Sequence, residues 1–273
     1  MLTSRLLLDT PGLNIAEVRC TGQHAQWSPP EPITAFAIVL PRRGVFHRRV
    51  AGVQGLVDPA TGYVEMPGTE QEIAHPAGGD LCTTITLPIP DGHVPAPAGP
   101  VHVSPWLSAA HRLLITQASS GADVVKLTDL ATELVAAVLT ATPSLHGSTR
   151  AHRRLADETR QILAGEPNCP LPELAHRLAV SPWHLSRVFH QTTGVTLRQF
   201  RIRLRTTAAL DLLVTESRSL AMIAADTGFT DQAHLTRTLR AQTGQPPGRL
   251  RALLKTVNKA QPHGTTSPAA DSE

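Results

Sequence analysis

The residues best suited to chemistry fall into two groups. In the first half, Cys20 and His24 lie four apart and His75 and Cys82 lie seven apart, each pair near the start or edge of an expected strand. Two thiolates and two imidazoles brought together would suit tetrahedral zinc at about 2.0–2.3 Å, or equally a thiol-based redox sensor. Buried cysteines also serve as small hydrophobes, and His75 before Pro76 can simply hold a turn. In the second half, side chains able to touch base edges recur on two stretches: Trp183, Ser186 and Arg187, then Gln232, His234 and Arg237. An arginine can fork onto guanine, a glutamine can read adenine, and serine and histidine can make single contacts. The Trp183 ring offers an apolar surface to a thymine methyl or a sugar, unless it turns into the core.

Such side chains need rigid carriers, and the second half supplies them. Leu171–Leu178 reads as a scaffold helix with Ala179 and Val180 in a turn. Ser181 is the N-cap of the next helix and Pro182 its first residue. That helix, to about Thr192, buries Leu185, Val188 and Phe189, and Gly194 stops it. The pattern recurs with Ser219 capping Leu220–Asp226, a turn at Gly228 and Phe229, Thr230 or Asp231 as the cap, and a helix to about Gln242 ended by Gly244. Between the two units runs a helix over Leu197–Thr215. Some 20 residues at about 1.5 Å each give a rod of about 30 Å, near the ~34 Å between successive major-groove faces on one side of B-DNA.

Charge follows the same division. Residues 1–149 carry 8 Lys/Arg against 12 Asp/Glu, whereas residues 150–259 carry 17 against 8, so only the second half suits a polyanion. With 41% apolar and 17% charged residues, the chain has the composition of a globular protein. The N-terminal Leu6-Leu7-Leu8 run is too short for a signal peptide and no run reaches the ~18 apolar residues of a membrane span, so a cytoplasmic protein without membrane contact is expected. Three cysteines, an odd number, read as free thiols or metal ligands rather than a disulfide framework.

The second half resembles the AraC/XylS transcription regulators over roughly residues 155–255. The likeness rests on Leu174-Ala175, Ser181–Phe189 with Gly194, Arg205 with Ala209 and Leu212-Leu213, Ile223-Ala224, Gly228-Phe229, Leu235–Arg237, Gly244, Pro247 and Arg251. It implies two helix-turn-helix units joined by a linker helix, double-stranded DNA as partner, RNA polymerase as a further one, and base reading by Trp183, Ser186, Arg187, Gln232, His234 and Arg237. Leu235 and Leu239 stand where the family usually has Phe, and Leu250 where it often has Tyr. Arg198, Arg201, Arg203, Arg218 and Arg249 are expected to touch phosphate or water.

In the first 103 residues, β-type runs at 34–40, 63–66 and 81–87 alternate with turn signals at Asp58-Pro59, Pro67-Gly68 and Gly78-Gly79-Asp80. Many short strands with regular turns suggest a sandwich or a small barrel. The resemblance implies a small cupin-like β barrel, so the expected fold is α+β, with that barrel before an all-α domain. The barrel would be a sensor for a small-molecule effector, as in the family. Helices follow over 104–142. The stripe Leu127, Leu130, Ala131, Leu134, Val135, Val138 and Leu139 needs a partner, either the barrel or the same helix in a homodimer. A linker is expected at 143–152, the DNA-binding domain at 153–256 and a disordered tail at 257–273. Two other readings are a regulator without sensing, its first half serving dimerisation alone, and a cupin-type metal enzyme. For the enzyme, His47, Glu70, Glu72 and His75 are the candidate ligands, and they form no compact motif.

Overall fold

A computed structural model describes residues 2–88, 100–140, 149–215 and 218–255. Its first half is two antiparallel sheets. β1 (Leu2–Thr10), β2 (Leu13–Cys20), β9 (Asp80–Thr86), β4 (Ala37–Arg43), β7 (Thr61–Glu65) and β10 (Val101–His102) lie side by side in that order. β3 (Glu31–Pro32), β8 (Glu70–Ala74), β5 (Phe46–Val50) and β6 (Val53–Val57) make the second sheet.

Alternation along the central strands assigns the faces. Ile15, Ile38, Leu40, Val64 and Ile85 join Leu107, Leu114, Leu127 and Leu134 of two covering helices, α1 (Pro105–Ser119) and α2 (Val124–Thr140), in one core. Val39, Tyr63 and Cys82 point the other way and meet Phe46 and Val57 of the second sheet. The centre of the six-stranded sheet is thus buried on both faces, which is why residues 36–40 form an unbroken apolar run. The α2 stripe finds its partner in its own chain: Leu127, Ala131, Leu134 and Val138 are all buried in the barrel core.

Among the described residues, seven helices follow: α3 (Arg150–Gly165), α4 (Leu171–Arg177), α5 (Pro182–Thr193), α6 (Leu197–Thr215), α7 (Leu220–Asp226), α8 (Gln232–Thr243) and α9 (Pro247–Lys255). They enclose two cores, and α6 belongs to both. Leu197, Phe200 and Leu204 pack with Leu163, Leu174, Leu185 and Phe189 in the first. Ala209, Leu210 and Leu213 pack with Ile223, Phe229, Leu235 and Leu239 in the second. One rod therefore fixes both units.

Of the expected linker, residues 143–148 lie outside the described residues. Thr149 caps α3 by accepting from the His152 N–H, and residues 150–152 are already helical. The tail expected at 257–273 also lies outside the described residues. Among the described residues, no helix is long and apolar enough to cross a membrane.

Candidate nucleic-acid interface

Each unit places its exposed helix by the same local devices. The Ser181 hydroxyl accepts from the His184 N–H at 3.2 Å. In the second unit Asp231, not Thr230, is the cap, accepting from the His234 N–H at 2.7 Å. The turns bend at residues with left-handed backbone, Ala179 at φ 53° and Gly228 at φ 76°. Both exposed helices end on a left-handed glycine, Gly194 and Gly244, whose N–H donates back to the carbonyl of His190 or Arg240. From turn to cap the second unit is one residue longer: Ala179 precedes its cap by two residues, Gly228 by three.

With Leu185, Val188 and Phe189 inward, α5 turns Trp183 and Arg187 outward and leaves Ser186 half-buried. Trp183 is 70% exposed, so its ring is not part of the core. The Arg187 guanidinium lies 5.0 Å from the centre of that ring, a cation–π contact that holds the fork out on the same face. On α8, Leu235 and Leu239 are buried while Gln232 and Arg237 are exposed. His234 is half-buried. Its ring stands edge-on to Phe229 at 5.3 Å, with Nδ1 3.3 Å from the Thr230 hydroxyl. Of the six expected readers it is the one most engaged within its own unit.

Two of the arginines expected at phosphate or water are engaged within the protein instead, and a third pairs at the surface. Arg201 donates to the Cys169 carbonyl, Arg203 meets the His102 ring, and Arg218 pairs with Asp226. For Arg203 the reason is that the linker helix is covered on that side rather than free. Arg198 and Arg249 remain exposed.

The cover is the first half of the chain, and two buried arginine–aspartate pairs secure it, one to each unit. Arg160 of α3 donates from Nε to Asp58 at 2.8 Å, where Asp58 is fully buried beside β7. It also bonds the Leu56 carbonyl and the Thr61 hydroxyl. Arg112 of α1 donates from Nε to Asp211 of α6 at 2.8 Å, and Arg43 of β4 reaches the other Asp211 oxygen at 3.3 Å. Small residues allow the approach: Ala60 enters the first helical core and Ala109 lies against the second. Burial, helped by the Arg203 charge, pushes His102 down to about 4, so this ring is neutral at the contact.

The residues expected to hold a metal or sense redox state regroup. Cys20 and His75 come together, joined by Asp80 rather than by His24 or Cys82. His24 pairs with His75 only through backbone hydrogen bonds of 3.0 and 2.7 Å, and its ring folds back over Gly22. The Cys82 thiol donates to Asp80 at 3.0 Å, and burial together with that carboxylate pushes it up. The residues considered for a cupin-type enzyme do not assemble. Glu72 is paired with Arg49, Glu70 is exposed, and His47 lies against Gln54 and Trp27.

A family profile described as a helix-turn-helix domain matches residues 174–252. The arabinose operon regulatory protein of Escherichia coli is 30% identical over 87 residues, which are 32% of this chain and 30% of that protein. The bifunctional transcriptional activator/DNA repair enzyme AdaA of Bacillus subtilis is 29% identical over 85 residues, 31% of this chain and 40% of that protein. The chain therefore spans less than half the length of either relative. Among solved structures, unsaturated-fatty-acid-bound ToxT from Vibrio cholerae aligns with 92% of this chain and 98% of its own, at 9% identity and a TM-score of 0.36.

Proposed function

We propose, from the AraC-type helix-turn-helix domain over residues 174–252, that this chain is a sequence-specific DNA-binding transcription regulator that responds to an effector through its barrel. The observation that carries the reading is the repeated unit. Two capped helices expose Trp183 with Arg187 and Gln232 with Arg237, and the single rod α6 runs through both cores. A helix of this kind fits the major groove, where base pairs differ in their donors and acceptors. Ser186 and His234 add shorter contacts. Exposed Arg198 and Arg249 supply phosphate grip, which sets register without reading sequence.

Effector response has a physical route in the two buried pairs. Asp58 belongs to the barrel, and Asp211 is held by Arg112 and Arg43 from the first half. A ligand that reshapes the barrel changes what both units are fastened to, and so their relative placement on DNA. The reading without sensing, in which the first half serves dimerisation alone, is less supported, because the α2 stripe is already buried within the chain. RNA polymerase and a second subunit remain proposed partners.

The test is selection from a pool of random duplexes by the purified protein at two salt concentrations, followed by sequencing. Enrichment of two half-elements about one helical turn apart supports the proposal. Affinity that falls steeply with salt and enriches nothing defeats it, because the basic half then only grips phosphate.

A further inference from the structure

We propose that Cys20, His75 and Asp80 form a binding site for one zinc-type divalent ion at the end of the barrel. A single ligand atom from each, the Cys20 Sγ, a His75 ring nitrogen and an Asp80 carboxylate oxygen, lies within 4.8 Å of the other two. Cys20 and Asp80 are directly opposite across β2 and β9, and His75 follows β8 of the other sheet. The three donors thus bridge the two sheets from separate segments of chain.

The cluster is buried and incompletely satisfied. Cys20 is 5% and Asp80 8% exposed. His75 Nε2 and Asp80 Oδ1 are 2.7 Å apart, an ion-pair distance, but the two are not aligned as a hydrogen bond. A buried carboxylate oxygen in that position is costly unless a cation or proton is shared with it. Around zinc, at 2.0–2.3 Å per ligand, such atoms stand roughly 3.5 Å apart. A movement of about 1 Å closes the set. Thiolate with imidazole and carboxylate suits zinc better than calcium or magnesium, which take oxygen donors.

The corner is shaped for close approach. A Cβ on Gly79 would come within 2.2 Å of the Cys20 carbonyl oxygen. One on Gly44, at φ 81°, would come within 2.4 Å of the Gly79 carbonyl oxygen. Only glycine lets these three segments meet. The Cys82 thiol holds the second Asp80 oxygen at 3.0 Å, fixing the carboxylate from behind. Three protein ligands leave a fourth position. Cys20 and Asp80 open onto a cavity of about 210 Å³ whose wall carries Arg19 and Arg43, and Arg43 also reaches Asp211 of the linker helix. Binding would release the Cys20 thiol proton, and any on the coordinating nitrogen, to solvent.

The experiment is a Co²⁺ titration of reduced, chelator-stripped full-length protein, with Zn²⁺ as competitor. One equivalent should bind with a thiolate-to-cobalt charge-transfer band and the visible bands of a tetrahedral site, and zinc should abolish both. Cys20→Ser, His75→Gln and Asp80→Asn should each weaken binding by more than roughly 10-fold, while Cys169→Ser leaves it intact. Should a variant fail to fold, zinc must still raise the unfolding temperature of the wild type, and of Cys169→Ser alike. The proposal is overturned if wild type gives no charge-transfer band, if the band survives Cys20→Ser, or if Cys20 and Cys82 pair as a disulfide in protein that takes up no metal.

Discussion

Removing the Arg160 guanidinium should loosen the grip of the barrel on the first helix-turn-helix unit, and its size can be worked from the contacts. Asp58 is fully buried and accepts from Arg160 Nε at 2.8 Å, from the Ala60 N–H at 2.8 Å and from the Thr61 hydroxyl at 3.0 Å. Arg160→Met keeps the apolar stem packed but leaves Asp58 a buried anion with two neutral donors. Breaking a buried pair from one side costs about 3–5 kcal/mol. The surviving donors place this variant at the lower end, about 3 kcal/mol, or roughly 6–12 °C in unfolding temperature. Asp58→Asn should cost less, about 1–3 kcal/mol, because Arg160 keeps Asp157 at 3.1 Å and the Leu56 carbonyl. The double variant should be more stable than the sum of single losses predicts, by at least about 1 kcal/mol. Urea unfolding followed by circular dichroism and by tryptophan fluorescence gives the values, with coincident transitions licensing the comparison. Single losses below about 1 kcal/mol that simply add would refute the assignment of this pair as a buried link.

Two further predictions concern stability. His102 is held down to about 4 chiefly by burial and then by Arg203, so the fold prefers it neutral. Its contribution is complete above about pH 6.5 and is lost as pH falls toward 4, by at most about 3 kcal/mol. Unfolding curves from pH 7 to 4 should show the decline, and His102→Asn should flatten it in part. His47 and His111, also lowered by burial, contribute in the same direction. A decline of equal size in His102→Asn would assign it elsewhere. At the turns, Ala179→Gly should stabilise by up to about 1 kcal/mol by relieving a left-handed alanine. Gly228→Ala should destabilise by about 1–2 kcal/mol or more, because its Cβ would also lie 2.5 Å from Asn168 Oδ1, which holds Arg205. Thermal melts of the two variants moving in the same direction would contradict the backbone account.

How far the sequence could be read follows from how local each signal is. The helix-turn-helix units are specified within a dozen residues, by Ser181 and its proline, by Gly228, and by Gly194 and Gly244 as stops, so their elements and exposed faces were legible. β1 carries no such local mark. β1 is an edge strand that leaves Leu2 and Leu6 exposed at 67% and 55%, so apolar residues do not mark one buried face. Asp80 was legible only as part of a Gly-Gly-Asp turn. Its place beside Cys20 depends on the pairing of β2 with β9, which no local pattern encodes. The same holds for Arg203, which reads as a DNA-facing charge until β10 brings His102 against it. The Asp58–Arg160 pair spans 102 residues of chain, beyond any motif.

The most direct measurement of the central claim is binding of Arg187→Ala and Arg237→Ala to the duplex selected by the wild type and to variants mutated in each half-element. The account predicts that each substitution relaxes discrimination at one half-element, by about 1–3 kcal/mol, and leaves the other intact. Equal weakening on every sequence, with the salt slope reduced by about 1 in each variant, would contradict it, because both arginines would then hold phosphate rather than bases.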